Sequence, residues 1–278
     1  MKVIVCIPAR YESTRFANKV LAADTGQYLI QHTYEQALKA KLPDIVLIAT
    51  DHERVAQAAA SFGARCIMTS PDCASGTDRI AEAIETAYSG QRTGDRKNEK
   101  LNPAPCTLNP DDIVVNLQAD EPEIDPANID TVAQLLIDNP DAPMATLAAG
   151  FESADQIANP NIVKVVTSDE RRATSDNAQR AIYFSRSVIP YDRQANGIGA
   201  VNQYLRHLGI YAYRRDFLLE FTKMPQGRLE QIEKLEQLRA IETGYSILVA
   251  KVKHTCDGID TAEQYAEFVK RYKLATEK

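Results

Sequence analysis

From residue 3 to residue 138, short β-branched apolar runs alternate with segments that are apolar at every third or fourth position. That alternation restricts the chain to an α/β architecture. The runs "VIVCI", "DIVLIAT", "ARCIMT" and "DIVVNLQ" read as strands. The segments "QYLIQHTYEQALKAK", "ERVAQAAASFG", "TDRIAEAIETAY" and "PANIDTVAQLLID" read as helices, the last opening with Pro126 in its first turn. Such an order predicts a mostly parallel twisted sheet with helices on both faces.

Residues 89–111 interrupt the period with Gly, Pro, Asn and mixed charge, which predicts an exposed excursion whose basic residues Arg92, Arg96, Lys97 and Lys100 are solvated. From about residue 151 the order is less regular. "IVKVVTS", "RAIYFSR" and "YLRHLGIYAYRR" read as strands around a Gly-containing loop, as an antiparallel extension or a second lobe would have. "RLEQIEKLEQLRAIETG" predicts one helix stopped at Gly244, "YSILVAKV" a strand, and "GIDTAEQYAEFVKRYKL" a final helix capped by Asp260 or Thr261. The chain thus groups as residues 1–150 (an α/β core), 151–230 (a smaller extension) and 231–278 (return to the core), without internal repeats.

Composition narrows the function classes. With 278 residues and 44% hydrophobic content the chain can bury a large core. A net charge of −6 argues against general nucleic-acid binding, which needs a basic surface. No run has a signal peptide's apolar region or the about 20 apolar residues of a membrane span, so the expected location is cytoplasmic. Five cysteines, Cys6, Cys66, Cys73, Cys106 and Cys256, are scattered without CxxC spacing, which suits reduced thiols better than disulfides or structural zinc.

Two groups of residues carry chemistry. The loop "IPARYESTRFANK" directly follows the first strand, where open α/β sheets collect ligands. Arg10, Arg15 and Lys19, with the Ser13 and Thr14 hydroxyls, suit an anion with several oxygens, such as a triphosphate. The alternative is a solvated loop whose arginines pair with nearby carboxylates. No P-loop or dinucleotide fingerprint is present. "VVNLQADEP" puts Gln118, Asp120 and Glu121 beyond a buried strand, and "HTCDGIDTAEQ" puts Asp257 and Asp260 before the last helix. Asp120 and Asp260 would share a Mg²⁺ if both segments reach one sheet edge. Otherwise Asp120 is a turn carboxylate and Asp260 a helix cap. Together, cations for a phosphate chain and carboxylates for a metal suggest nucleotidyl transfer.

Eight segments in order, "IPARYESTRFANK", "ATDHERV", "MTSPDCASGTDRIAEA", "VVNLQADEPEI", "YFSRSVIPYDR", "LRHLGIYAYRRDFL", "LEQIEKLEQLRAIETG" and "GIDTAEQYAEF", resemble the 3-deoxy-manno-octulosonate (Kdo) cytidylyltransferases. The resemblance implies a nucleotidyltransferase-like fold and transfer from CTP to Kdo, an acidic eight-carbon sugar, for lipopolysaccharide biosynthesis. It implies Mg²⁺ on Asp120 and Asp260, with Arg10 and Lys19 catalytic. Arg10, Ser13, Lys19, Ser75, Gly76 and Arg79 would hold the nucleotide. Gln118, Arg186, His207, Tyr211, Glu236 and Gln237 would surround the sugar. His207 and Tyr211, four apart in a strand, would share a face as a pocket wall or as cross-strand packing. A homodimer joined through 151–230 is implied as well. Where the family usually reads QGDEP this chain has Ala119, and Cys73 stands where histidine is common. The rivals are an enzyme acting on 8-amino-Kdo or another acidic sugar, and a non-catalytic nucleotide-binding relative.

Overall fold

β1 (Val3–Ala9) is buried continuously from Val3 to Ile7, as expected of a strand with parallel neighbours on both sides. The computed structural model describes residues 1–12, 16–88, 108–168, 178–253, 255 and 257–276. Most of the excursion, including Arg92, Arg96, Lys97, Lys100 and Cys106, lies outside them. So do Ser13, Thr14, Arg15 and Cys256. The described chain divides into two compact units, Met1–Pro126 with Cys256–Lys278, and Ala127–Thr255.

In the first unit α1 (Leu29–Lys39), β2 (Ile45–Thr50), α2 (Glu53–Ser61), β3 (Arg65–Met68), α3 (Gly76–Tyr88) and β4 (Ile113–Asn116) follow β1 in the alternation read from the sequence. Its strands lie in the order β3-β2-β1-β4, every neighbouring pair parallel. Cys6 is in register with Asn116, so the chain leaves β1 and β4 at the same sheet edge. That edge receives the Arg10 loop and the Gln118–Glu121 segment. The chain's last helix, α9 (Ala262–Thr276), belongs to this unit and buries Tyr265 and Phe268 against Leu29 and Ile259.

The second unit contains nearly all of α4 (Pro126–Asp138), then β5 (Met144–Gly150), α5 (Ala154–Ala158), β6 (Lys164–Ser168), β7 (Ala178–Ser185), β8 (Leu205–Arg214), α6 (Arg215–Phe221), α7 (Arg228–Glu233), α8 (Leu238–Glu242) and β9 (Ile247–Val252). β5 pairs antiparallel with β8 and parallel with β9, while β6–β7 and β7–β9 are antiparallel. This unit is therefore mixed, but its parallel pair β5–β9 lies outside residues 151–230, within which β6 pairs antiparallel with β7 and with β8. β5, which the sequence grouping left unassigned within residues 1–150, sits inside the unit. Its sequence MATLAAG is small and unpatterned, yet six of its seven residues are buried.

One sequence expectation is corrected here. The single helix expected up to Gly244 is two short ones, α7 and α8, separated at Lys234, whose φ of 54° is left-handed and ends α7. The break lets Arg239 of α8 fold back onto Glu230 of α7. Arg239 Nε and Nη2 donate to the two Glu230 oxygens at 2.8 and 2.6 Å, and both side chains are 7% exposed.

Candidate functional site

Lys19 follows the Arg10 loop in a turn of 3₁₀ helix, Lys19–Leu21, and is itself buried. Its ammonium donates to Asp120 Oδ2 at 2.6 Å and to Asp260 Oδ1 at 3.3 Å. The two aspartates come from segments far apart in sequence, tied together by a hydrogen bond from Ile259 N–H to the Asp120 carbonyl at 2.8 Å. Asp260 is not the α9 cap. Thr261 Oγ1 accepts from Gln264 N–H at 3.3 Å and Gln264 Oε1 accepts from Thr261 N–H at 3.0 Å, a reciprocal capping box that leaves the Asp260 carboxylate to face Lys19.

The surroundings are acidic. Glu121, next to Asp120, is pushed up to about 8 by burial and then by the charges of Asp120 and Asp257. Two carboxylates converging on one cationic point are hard oxygen donors of the kind Mg²⁺ takes. Among the described residues no group of three or more His, Cys, Asp or Glu side chains could hold a metal ion. Asp120 and Asp260 could supply two oxygen ligands to an ion that keeps waters or phosphate oxygens as its others.

Arg10 Nη2 donates to the Cys73 carbonyl at 3.0 Å, fastening the loop after β1 to the loop before α3. Ser75 caps α3, exchanging hydrogen bonds with Asp78 at 2.8 and 3.0 Å. A Cβ on Gly76 would stand 3.3 Å from Pro8 Cγ, so glycine there allows α3 to start close against β1. Arg79 is fully buried, with Nη2 on Asp51 at 2.7 Å and Nη1 on Thr69 Oγ1 at 2.6 Å. In this geometry it braces the wall through Nη1 and Nη2, while its buried Nε has no hydrogen-bond partner among the described residues. Gln118 Nε2 donates to Asn116 Oδ1 at 3.2 Å. Ala119 is absent from the residues with positive φ, so the alanine fits the backbone there, and its carbonyl accepts from Thr33 Oγ1 at 3.1 Å. The Cys73 thiol donates to Glu82 at 3.0 Å and is pushed up to about 11, chiefly by burial. It is an inert thiol.

The second unit gathers the other sugar-site candidates. Thr146 pairs with Tyr211 and Ala148 with His207 across β5 and β8, a register that absorbs two extra residues of β8 and keeps both rings on one face, 5.3 Å apart. Thr146 Oγ1 donates to the Ile210 carbonyl at 2.7 Å, so it accepts from His207 Nε2–H at 3.0 Å. That assignment leaves His207 Nδ1 as an acceptor. Burial drives His207 down to about 3, and burial followed by the charge of Glu236 drives Tyr211 well above the usual phenol value. Both rings are neutral at pH 7. Glu236 and Gln237, expected on a helix, lie in the turn between α7 and α8. Gln237 is 4% exposed and its Nε2 has no hydrogen-bond partner among the described residues.

The His207 shift predicts a pH effect on stability. Between pH 6.5 and 3 the unfolded chain binds a proton that the folded ring refuses, so stability is lost as pH falls through that window. Replacing His207 with Gln should remove on the order of 3 kcal/mol of the loss between pH 6.5 and 4, read as a shallower fall in Tm. Parallel Tm curves for the two proteins would place His207 in water.

A family profile described as cytidylyltransferase matches residues 4–247. The chain belongs to the cytidylyltransferase family. It is 43% identical over 275 residues, 98% of each chain, to a 3-deoxy-manno-octulosonate cytidylyltransferase of Rhodopirellula baltica. It is 44% identical over 266 residues, 95% of each chain, to an 8-amino-3,8-dideoxy-manno-octulosonate cytidylyltransferase of Shewanella frigidimarina. A solved CMP:2-keto-3-deoxy-manno-octonic acid synthetase complexed with CTP superposes with a TM-score of 0.81 at 38% identity, with all of both chains covered. As a family member the chain has an α/β nucleotidyltransferase-like fold with a mixed sheet. None of its described helices is long and apolar enough to cross a membrane.

Sequence reasoning missed residues that hold this cytidylyltransferase's candidate site in shape. Thr146 lies in the unpatterned β5. Lys164 left one signal, a lysine inside the apolar run "IVKVV", where charge is costly unless paired. Glu233 reads as an ordinary helix-surface residue and left none.

Proposed function

We propose that this protein transfers the cytidylyl group of CTP to Kdo in the cytoplasm, for lipopolysaccharide biosynthesis, giving CMP-Kdo and pyrophosphate with Mg²⁺ as cofactor. The observation that carries the reading is the convergence of Asp120 and Asp260 on the Lys19 ammonium beyond β1 and β4. The sugar's 2-hydroxyl oxygen forms a bond to the α-phosphorus, the bond to the β-phosphate bridging oxygen breaks, and the hydroxyl proton leaves to solvent. Asp120 and Asp260 would hold the Mg²⁺, which when bound neutralises phosphate charge and lowers the pKa of the attacking hydroxyl. Lys19 and Arg10 stabilise charge growing on the departing pyrophosphate. Ser13 adds a hydroxyl to the phosphates, while Ser75 and Gly76 shape the nucleotide's wall, braced by Arg79. Gln118, Arg186, His207, Tyr211, Glu236 and Gln237 receive the sugar acid. The neutral His207 acceptor and the unpartnered Gln237 donor suit a polyhydroxylated ligand.

Pyrophosphate release from CTP with Kdo, 8-amino-Kdo and sialic acid tests the reading. Turnover with Kdo, abolished by EDTA and restored by Mg²⁺, is expected. CTP binding without pyrophosphate release for any sugar would make the protein a non-catalytic relative. The 44% identical relative named for the 8-amino sugar supports a second reading. In that case Glu236 would pair with the ammonium, and a hundredfold preference for the amino sugar would overturn the choice of Kdo. A homodimer through 151–230 agrees with exposed Ile182 and Tyr191 and would appear as twice the chain mass in light scattering.

Lys19→Met keeps length and removes charge. It is expected to lower kcat/KM for CTP about a hundredfold with an unchanged circular dichroism spectrum. Normal turnover with normal CTP affinity would move the phosphate site elsewhere.

A further inference from the structure

Arg186 is held from four directions. Its N–H donates to Glu233 Oε2 at 3.0 Å, and its carbonyl accepts from Lys164 Nζ at 2.6 Å. Its guanidinium Nε donates to the Glu233 carbonyl at 2.8 Å and Nη1 to the Pro160 carbonyl at 3.1 Å. Nη2 makes no hydrogen bond among the described residues, so one edge of a partly exposed guanidinium is left for another acceptor.

The supports are themselves anchored. Lys164 is fully buried in β6, and its ammonium also donates to the Ile162 and Asn159 carbonyls at 2.8 and 3.1 Å, so three acceptors satisfy its three donors. Glu233 closes α7 and takes a second hydrogen bond on Oε1 from Ser185 Oγ at 2.6 Å. Ser185 Oγ in turn accepts from Ser187 N–H at 3.0 Å. Burial, and then the nearby Arg186 charge, lower the Lys164 pKa, while Glu233 opposes that shift. A buried ammonium beside a guanidinium is costly as a mere strand filler. A device that fixes an arginine's direction accounts for the arrangement better.

We propose that Lys164 and Glu233 are positioning residues that aim the Arg186 guanidinium edge at the carboxylate of the acidic sugar. The proposal rests on the reading of Arg186 as a sugar-binding residue. Neither Lys164 nor Glu233 needs to touch the substrate. Each acts through Arg186, one on its carbonyl and the other on its amide and guanidinium. A fork held at Nε and Nη1 loses little freedom on meeting a carboxylate, so its affinity depends on the hold.

The test is a double-mutant cycle on the full-length protein, with KM for Kdo and for CTP measured separately. Glu233→Gln turns one accepting oxygen into a donor facing an N–H or an O–H. Lys164→Met takes the ammonium off the Arg186 carbonyl, and each of the two substitutions is expected to raise the Kdo KM about tenfold with the CTP KM within twofold. Ser185→Ala removes the hydroxyl on Glu233 together with the acceptor of the Ser187 N–H, and should raise the Kdo KM about threefold, which supplies a reading if Glu233→Gln or Lys164→Met does not fold. In an Arg186→Ala background, itself raised in Kdo KM, the further effect of either substitution should vanish. Additive effects in that background would overturn the positioning role while sparing Arg186 as a sugar contact. An Arg186→Ala protein with a normal Kdo KM would overturn the assignment of Arg186 and the proposal with it.

Discussion

Asp120→Asn and Asp260→Asn are each expected to lower kcat by about 10²–10³ while moving Tm by no more than about 2 °C. The separation follows from where these carboxylates sit. Their side chains are 25% and 45% exposed, they meet Lys19 and not the apolar core, and the α9 cap is made by Thr261 and Gln264. Asparagine keeps the shape and removes the charge that a divalent cation and a triphosphate site require. A second readout is independent of turnover. If the pair binds a divalent cation, added Mg²⁺ should raise the Tm of the parent protein and lose that effect in both variants. An Asp260→Asn protein that unfolds readily but keeps full specific activity would reduce Asp260 to a structural residue.

The first unit was legible because its periodicities are local. Val3–Ala9, Ile45–Thr50 and Ile113–Asn116 are β-branched runs, and the helices between them repeat apolar residues at helical spacing, so parallel topology follows from order alone. The placement of Asp120 was legible for the same reason, since a carboxylate after a buried strand lands at the sheet edge, whereas Asp260 was expected beside it only if both segments reached one edge. What joins them was not legible, because the Lys19 ammonium and the Ile259 amide span about the whole length of the chain. The second unit hides more. β5 has no alternation because nearly every side chain is buried and small, and the apolar spacing of 228–242 runs on through Lys234, where the backbone turns left-handed. Arg79 illustrates the same limit. The resemblance gave Arg79 a place beside the nucleotide, and its ties to Asp51 and Thr69 depend on strand ends that sequence cannot align.

The largest stability loss is expected where that hidden turn is held. Arg239 engages Glu230 through two hydrogen bonds, donates Nη1 to the Phe221 carbonyl at 3.2 Å, and lies 4.8 Å from the Phe221 ring centroid. Replacing Arg239 with Met fills similar volume but leaves a buried carboxylate without its counter-charge, which costs about 3–5 kcal/mol, or roughly 10 °C in Tm. Adding Glu230→Gln to Arg239→Met should recover part of the loss, because an uncharged amide is cheaper to bury than an unpaired carboxylate. Function should follow the turn and not the fold as a whole. Glu236 and Gln237 sit between the paired helices, and Arg239 also lies 3.7 Å from Glu236, so the surviving Arg239→Met protein should show a higher Kdo KM at temperatures well below its Tm. The CTP KM should change little, since Arg10, Lys19, Asp120 and Asp260 all belong to the other unit. A loss under about 1 kcal/mol, or an equal rise in both KM values, would mean that the Arg239–Glu230 pair does not hold the turn as its geometry indicates.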